Sequence, residues 1–204
     1  MINISREFEN MAGIPDVIGA VDGCHIPISA PTDHPESYIN RHDYHSILLQ
    51  GICDHERRFT DVFAGCCGSL HDARVLQRSP INQESTDHYN DYFPNQTHIL
   101  GDKAYTPQFN VLPPYKDYGN LTPVQRNFNF LHSQTRQIIE RTFALLLSRF
   151  RRLKYLYLQN IEYAALNVLA CCCLHNLCLN LNDELDDDDK MNFESIRGMK
   201  GNVN

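Results

Sequence analysis

Apolar residues along this chain follow two rhythms, and the change comes near residue 120. Before it they fall in short runs bounded by polar residues and prolines, the signature of buried strands. Val17-Ile-Gly-Ala-Val21 is the first such run, and Ser46-Ile-Leu-Leu-Gln-Gly-Ile-Cys-Asp54 the second. A polar turn, Asp54-His-Glu-Arg57, leads to a third run from Phe59 to Cys66, so these two are expected to form a hairpin. Thr97 to Asp102 reads as a fourth strand. Val111-Leu-Pro-Pro114 reads as a short fifth, placed at a sheet edge because proline cannot donate to a ladder. Between the third and fourth runs, Ser69 is a candidate N-cap with Asp72 three residues on, opening a helix through Val75, Leu76 and Arg78. Asn82 to Asn95 is polar and is expected to be a surface loop.

From about Thr122 to Leu153 the period becomes helical. Ile139, Phe143, Leu146 and Phe150 define one apolar face, with Glu140 at its border and Arg141, Arg149 and Arg152 on another. Ile161 to Leu179 is apolar nearly all round, as expected for a helix buried in a domain; Asn167, His175 and Asn176 interrupt it and argue against a membrane span. Three strands with a hairpin, a helix, a strand, a short strand and then long helices give an α/β order. It matches a ribonuclease H-like fold, a mixed five-stranded sheet flanked by helices. In that fold the first and fourth strands lie side by side, and a later helix packs across them.

The 204 residues suit one domain, with enough chain for a substantial core. The net charge of −7 argues against a polyanionic partner until its distribution is considered. Asp183-Glu-Leu-Asp-Asp-Asp-Asp189 concentrates six acids in one stretch that is expected to be solvated and disordered. Arg136, Arg141, Arg149, Arg151, Arg152 and Lys154 crowd one segment instead, and a local basic stripe is what a phosphate backbone meets. Most of the eight cysteines sit in apolar runs, which suggests buried thiols in a reducing compartment. Cys171-Cys-Cys-Leu-His175 is a poor match to zinc-ligand spacing. No stretch reads as a signal peptide.

Three acids stand out against this background. Asp22 and Asp102 follow strand-like runs, and Glu140 lies inside the helical pattern. A carboxylate at the end of a buried strand is costly unless a cation meets it. Three that converge suit hard divalent cations such as Mg²⁺, which take oxygen ligands, and suit two-metal cleavage of phosphodiesters. Without metal they are expected to repel one another, so that removing a charge would stabilise the protein. Plainer readings stand beside these. Asp22 could open a turn with Gly23, Asp102 could cap a loop with Lys103, and Glu140 could pair with Arg136 one helical turn away. Asp54, His71 and Asp72 are candidates to support the triad from behind, although Asp54 also suits a hairpin turn and Asp72 a helix first turn. Arg141, Arg149 and Arg152 are candidates for DNA phosphates, or a solvated helix face.

The ordered blocks Gly19-Ala-Val-Asp-Gly-Cys-His25, Gly68-Ser-Leu-His-Asp72, Leu100-Gly-Asp-Lys-Ala-Tyr105, Ile139-Glu-Arg-Thr-Phe143 and Leu174-His-Asn176 resemble the nuclease domain of PIF/Harbinger transposases and their domesticated relatives. The resemblance implies a DDE triad at Asp22, Asp102 and Glu140, with Mg²⁺- or Mn²⁺-dependent DNA cleavage. It also implies residues 1–12 as an N-terminal remnant, 13–180 as the nuclease domain and 181–204 as an acidic disordered tail. Relatives of this kind carry a DNA-binding region before the catalytic domain. The chain is therefore expected to grip DNA without sequence preference, to rely on a separate DNA-binding protein, and to work in the nucleus or cytosol rather than at a membrane. The competing expectation is a catalytically inactive binding module acting through protein partners.

Overall fold

The computed structural model describes residues 2–107, 110–183 and 185. Most of the acidic tail lies outside them, and so does the expectation of disorder there. Five strands form one sheet in the order β3-β2-β1-β4-β5. They are β1 (Val17–Pro27), β2 (Ser46–Cys53), β3 (Phe59–Cys67), β4 (His98–Leu100) and β5 (Val111–Leu112). β1 pairs parallel with β4, and β4 parallel with β5. With helices α1 (Ile2–Ala12), α2 (Asp72–Arg78), α3 (Pro80–Asp87), α4 (Tyr89–Tyr92), α5 (Pro123–Arg149) and α6 (Ile161–Asn180), this is the mixed α/β sheet of the ribonuclease H-like fold.

The described residues gather into two compact units. The first takes the chain up to Asp22, then Gly51–Asp61 and His71–Glu140. Its core is Val21, Ile52, Leu76, Phe93, Ile99, Tyr105 and Val111, from two central strands, the edge strand β5, α2 and the segments around β4. The second takes Gly23–Gln50, Val62–Leu70 and the chain from Arg141 onward. Ile26, Ile28, Leu48, Phe143, Leu146, Leu153, Leu156 and Val168 are buried in it.

Several boundaries differ from the sequence reading, each for a local reason. β1 runs on to Pro27, so Asp22 lies within the strand rather than at its end; beyond it Cys24 and Ile26 are buried while Gly23 and His25 are half-buried, the alternation of a continuing strand. Residues 82–95 are not a loop. Pro80 starts α3 at a position where its missing N–H costs nothing, and Ile81, Tyr89, Tyr92 and Phe93 reach the core from between polar neighbours. Ser69 does not cap α2: its hydroxyl donates to the Ser37 carbonyl at 2.7 Å, and His71 occupies the cap position.

α5 opens with a capping box. Thr122 Oγ1 accepts from the Gln125 N–H at 3.2 Å, and Gln125 Oε1 accepts from the Thr122 N–H at 2.9 Å. The helix stops at Arg149, short of Leu153. Phe150 leaves helical geometry, and the chain tightens into a 3₁₀ turn, Arg151–Tyr155, that buries Leu153.

α6 is not buried all round. Ala164, Val168, Cys172 and His175 form its one buried stripe, whereas Tyr163, Leu166, Leu174 and Leu177 are exposed. By length and a mean hydropathy of 1.4 this helix is apolar enough to cross a membrane.

Candidate active site

Register brings the first two acids together. Ala20 of β1 pairs with Leu100 of β4 in a parallel ladder. Two positions further along each chain lie Asp22 and Asp102, and in a parallel pair such residues share a face. Asp102 falls just past β4, in a tight turn: one carboxylate oxygen accepts from the Ala104 N–H at 2.8 Å, and its carbonyl accepts from the Tyr105 N–H at 3.2 Å. Gly101 is required here. A Cβ on it would lie 2.8 Å from the Tyr105 ring and 3.0 Å from Val111.

α5 supplies the third acid together with a cation. Arg136 and Glu140 are one turn apart, and Arg136 Nη2 donates to Glu140 Oε1 at 2.5 Å. The same guanidinium reaches 114 residues back in sequence, where Nη1 donates to Asp22 Oδ2 at 3.1 Å. The helical pair offered as the plain reading of Glu140 is present, but it is half of a bridge that carries Asp22 as well. The bridge is sheltered: side-chain exposure is 17% for Arg136, 4% for Asp22 and 12% for Glu140. Burial alone pulls the Arg136 guanidinium down; the charges of Asp22, Glu140 and Asp102 outweigh it and hold the group above its ordinary value.

Tyr105 completes the neighbourhood. It is 2% exposed, and its hydroxyl has no hydrogen-bond partner among the described residues. Burial first, then the charges of Asp72, Asp22 and Asp102, raises its pKa well above the usual tyrosine range, so the hydroxyl keeps its proton. His132 donates from Nε2 to the Leu112 carbonyl at 2.9 Å; burial, with help from Arg136, holds it below the ordinary histidine value.

Asp22, Asp72, Asp102 and Glu140 thus lie within electrostatic reach of Arg136 or Tyr105, four acids against one guanidinium. That excess of oxygen donors and negative charge, with a buried hydroxyl lacking a partner, fits hard divalent cations. With the guanidinium between Asp22 and Glu140, however, no three His, Cys, Asp or Glu side chains among the described residues are gathered so as to hold a metal ion.

The supporting candidates divide. Asp72 opens α2 and faces the Tyr105 hydroxyl electrostatically, with Leu76 one turn on packed in the same core. Asp54 is taken up by the β2–β3 turn: Oδ1 accepts from the N–H groups of Glu56 and Arg58, both at 2.9 Å, and Oδ2 meets Arg58 Nε at 3.3 Å. His71 is exposed. In the second unit, His25 Nδ1 lies 3.0 Å from Ser46 Oγ, which also accepts from Asn40. Arg141 is exposed on α5, and Arg152 lies over the Tyr157 ring at 5.8 Å. Arg149 does not present itself to a ligand: its side chain is 9% exposed, with Nη1 on Asp183 Oδ2 and Nη2 on the Asp183 carbonyl, both at 2.5 Å. The sequence reading missed the long-range half of the Arg136 bridge and the place of Tyr105. The Tyr105 signal was its position in Gly-Asp-Lys-Ala-Tyr, three residues after a candidate acid.

A family model described as DDE superfamily endonuclease matches residues 21–176, from just before Asp22 to just after His175. The chain belongs to the DDE superfamily endonuclease family. Asp22, Asp102 and Glu140 all fall inside the matched span. The protein named "Putative nuclease HARBI1" from Bos taurus is 35% identical over 179 residues, covering 86% of this chain and 50% of that protein. Its Homo sapiens counterpart is 34% identical over 179 residues with the same coverage. The Arabidopsis thaliana "Protein ALP1-like" is 27% identical over 198 residues, covering 91% of this chain and 48% of that protein. The chain spans about half the length of the curated relatives it matches. No solved structure matches it.

Proposed function

We propose that this chain is a metal-dependent DNA endonuclease working through Asp22, Asp102 and Glu140. The observation that carries the reading is the single Arg136 guanidinium on which Asp22 and Glu140 meet, with Asp102 within its electrostatic reach. Asp22 within β1, Asp102 just past β4 and Glu140 on α5 are each in electrostatic reach of that one guanidinium, which supports a shared role for the three acids in phosphodiester cleavage. Mg²⁺ or Mn²⁺ held by these three carboxylates would activate the attacking oxygen and stabilise the leaving one. The protein's own groups position and shelter the centre. β1 and β4 fix the two aspartates in register, and α5 delivers Glu140. Tyr105 and Val111 are buried in the core of the same unit.

Nuclear action on DNA, with a separate protein supplying sequence recognition, accompanies this reading. Family membership and the names of the relatives support the nuclease part of it. The second reading, an inactive binding module, draws on the same guanidinium, which closes the Asp22–Glu140 gap. Nicking of supercoiled plasmid decides between them. Wild type should nick with Mg²⁺ or Mn²⁺ and not with EDTA, and Asp22→Asn or Asp102→Asn should abolish it. Wild type inert with both metals, or Asp22→Asn as active as wild type, would remove the triad from the mechanism.

A further inference from the structure

The segment after α5 reads Arg151-Arg-Leu-Lys-Tyr-Leu-Tyr157, and its burial alternates with purpose. Leu153 and Leu156 are buried at 1% and 3%. The Leu156 N–H donates to the Pro27 carbonyl at 3.2 Å, and Leu156 forms a parallel bridge with Ile28. These anchors turn Arg151, Arg152, Tyr155 and Tyr157 outward. Tyr155 and Tyr157 are 60% and 67% exposed, with rings 18° from parallel and centroids 6.2 Å apart. Arg152 lies over the Tyr157 ring. Two large aromatic rings held side by side in solvent, with cations around them, have the composition of a stacking platform for bases rather than of a solvated loop.

Beside Tyr155 the surface opens into a cleft of about 480 Å³. Pro27 and Ile28 give it an apolar floor; Tyr44, His45, Lys154 and Tyr155 supply rings and a cation. Burial, and then the charge of Arg151, pulls Lys154 below the ordinary lysine value, a crowding that an incoming phosphate would relieve. Asp43, also in the lining, opposes a run of phosphates and offers an acceptor to a base N–H. The chemistry therefore favours one base with a single flanking phosphate. A base inside a duplex has both faces covered by its neighbours and cannot reach such a ring. An unpaired base can.

We propose that this cleft and the Tyr155–Tyr157 pair form a binding site for an unpaired DNA strand, one base stacking on Tyr155 while a single flanking phosphate meets Lys154. The choice of DNA rests on the nuclease reading; the stacking chemistry does not.

The test is fluorescence anisotropy with a labelled single-stranded oligonucleotide, its duplex and the matching RNA, in EDTA so that no cleavage occurs. The single strand should bind more tightly than the duplex. Tyr155→Ala should weaken it by roughly 5- to 140-fold, the range that about 1–3 kcal/mol of stacking per base gives at 1.4 kcal/mol per tenfold, whereas Tyr155→Phe should keep it. Lys154→Gln should reduce the slope of log affinity against log salt by about 0.7, one phosphate contact on a single strand. Wild-type binding by Tyr155→Ala, or duplex bound as tightly as single strand, would overturn the proposal, and tighter binding of RNA would overturn the choice of DNA. Plasmid nicking by the wild-type chain separates the two readings: single-strand binding retained in a wild type that never nicks with Mg²⁺ or Mn²⁺ would sink the nuclease alone, and nicking intact without Tyr155-dependent binding would sink this site alone.

Discussion

Arg136→Met removes the cation that bridges Asp22 and Glu140 while keeping most of the side chain's volume. The structure then leaves two sheltered carboxylates facing each other, with Asp102 and Asp72 nearby. Breaking a buried ion pair by deleting one partner costs about 3–5 kcal/mol, because the remaining charge stays desolvated. Arg136 retains 17% exposure, so the low end applies. About 3 kcal/mol in a chain of this size lowers Tm by roughly 6–12 °C, at some 2–4 °C per kcal/mol. Thermal unfolding in EDTA measures it. Divalent cations should then recover the loss, and Mn²⁺ should raise Tm more in Arg136→Met than in wild type, since no guanidinium competes for the carboxylates. A variant that melts within about a degree of wild type in EDTA would show that the bridge contributes little. Equal Mn²⁺ shifts in the two proteins would show that Arg136 does not guard the site. The same geometry reverses the expectation drawn from mutual repulsion. Asp22→Asn should lower metal-free stability, because it breaks an ion pair rather than relieving one.

Three further outcomes follow from local geometry. Gly68→Ala places a Cβ 2.3 Å from Ser46 Oγ, 2.6 Å from the Ser46 carbonyl and 2.8 Å from the Tyr38 carbonyl, so urea denaturation should show a loss of about 1–3 kcal/mol, and an unchanged midpoint would contradict this packing. Iodoacetamide should label exposed Cys173 long before Cys172, whose thiol is pushed far up by burial and by neighbouring thiols; mass spectrometry of the native protein reads the order, and equal labelling would contradict it. His98 and His132 are held below the ordinary histidine value chiefly by burial. The unfolded chain takes up those protons first, so their stabilising effect is complete above about pH 6.5 and is lost as pH falls, by up to about 1.4 kcal/mol per unit for each group. His98→Gln should make that acid limb shallower, and an unchanged slope would exclude His98 from it.

The elements that carry the candidate acids were legible because those acids end or border apolar segments. Asp22 and Asp102 follow short apolar runs bounded by polar residues, the pattern of buried strands, and Glu140 sits at the edge of a helical face. What could not be read was any contact set by tertiary distance. Arg136 shows its helical partner in sequence, but its bond to Asp22 depends on where α5 meets β1. The helices at 80–92 were hidden because Ile81, Tyr89, Tyr92 and Phe93 anchor an otherwise polar stretch that lacks a sustained period. α6 failed the other way: a helix apolar on every side carries no signal for which stripe faces the core. Tyr155 and Tyr157 escaped notice because the neighbouring arginines and lysine gave the segment its apparent meaning, while their exposure follows from burial of Leu153 and Leu156.

The most direct measurement of the central claim is anomalous scattering from a crystal grown with Mn²⁺ at a concentration that supports nicking. The expected result is manganese bound by Asp22, Asp102 and Glu140, with the Arg136 guanidinium withdrawn from between Asp22 and Glu140. Arg136 still bridging those two carboxylates, with no manganese on the three acids, would contradict it.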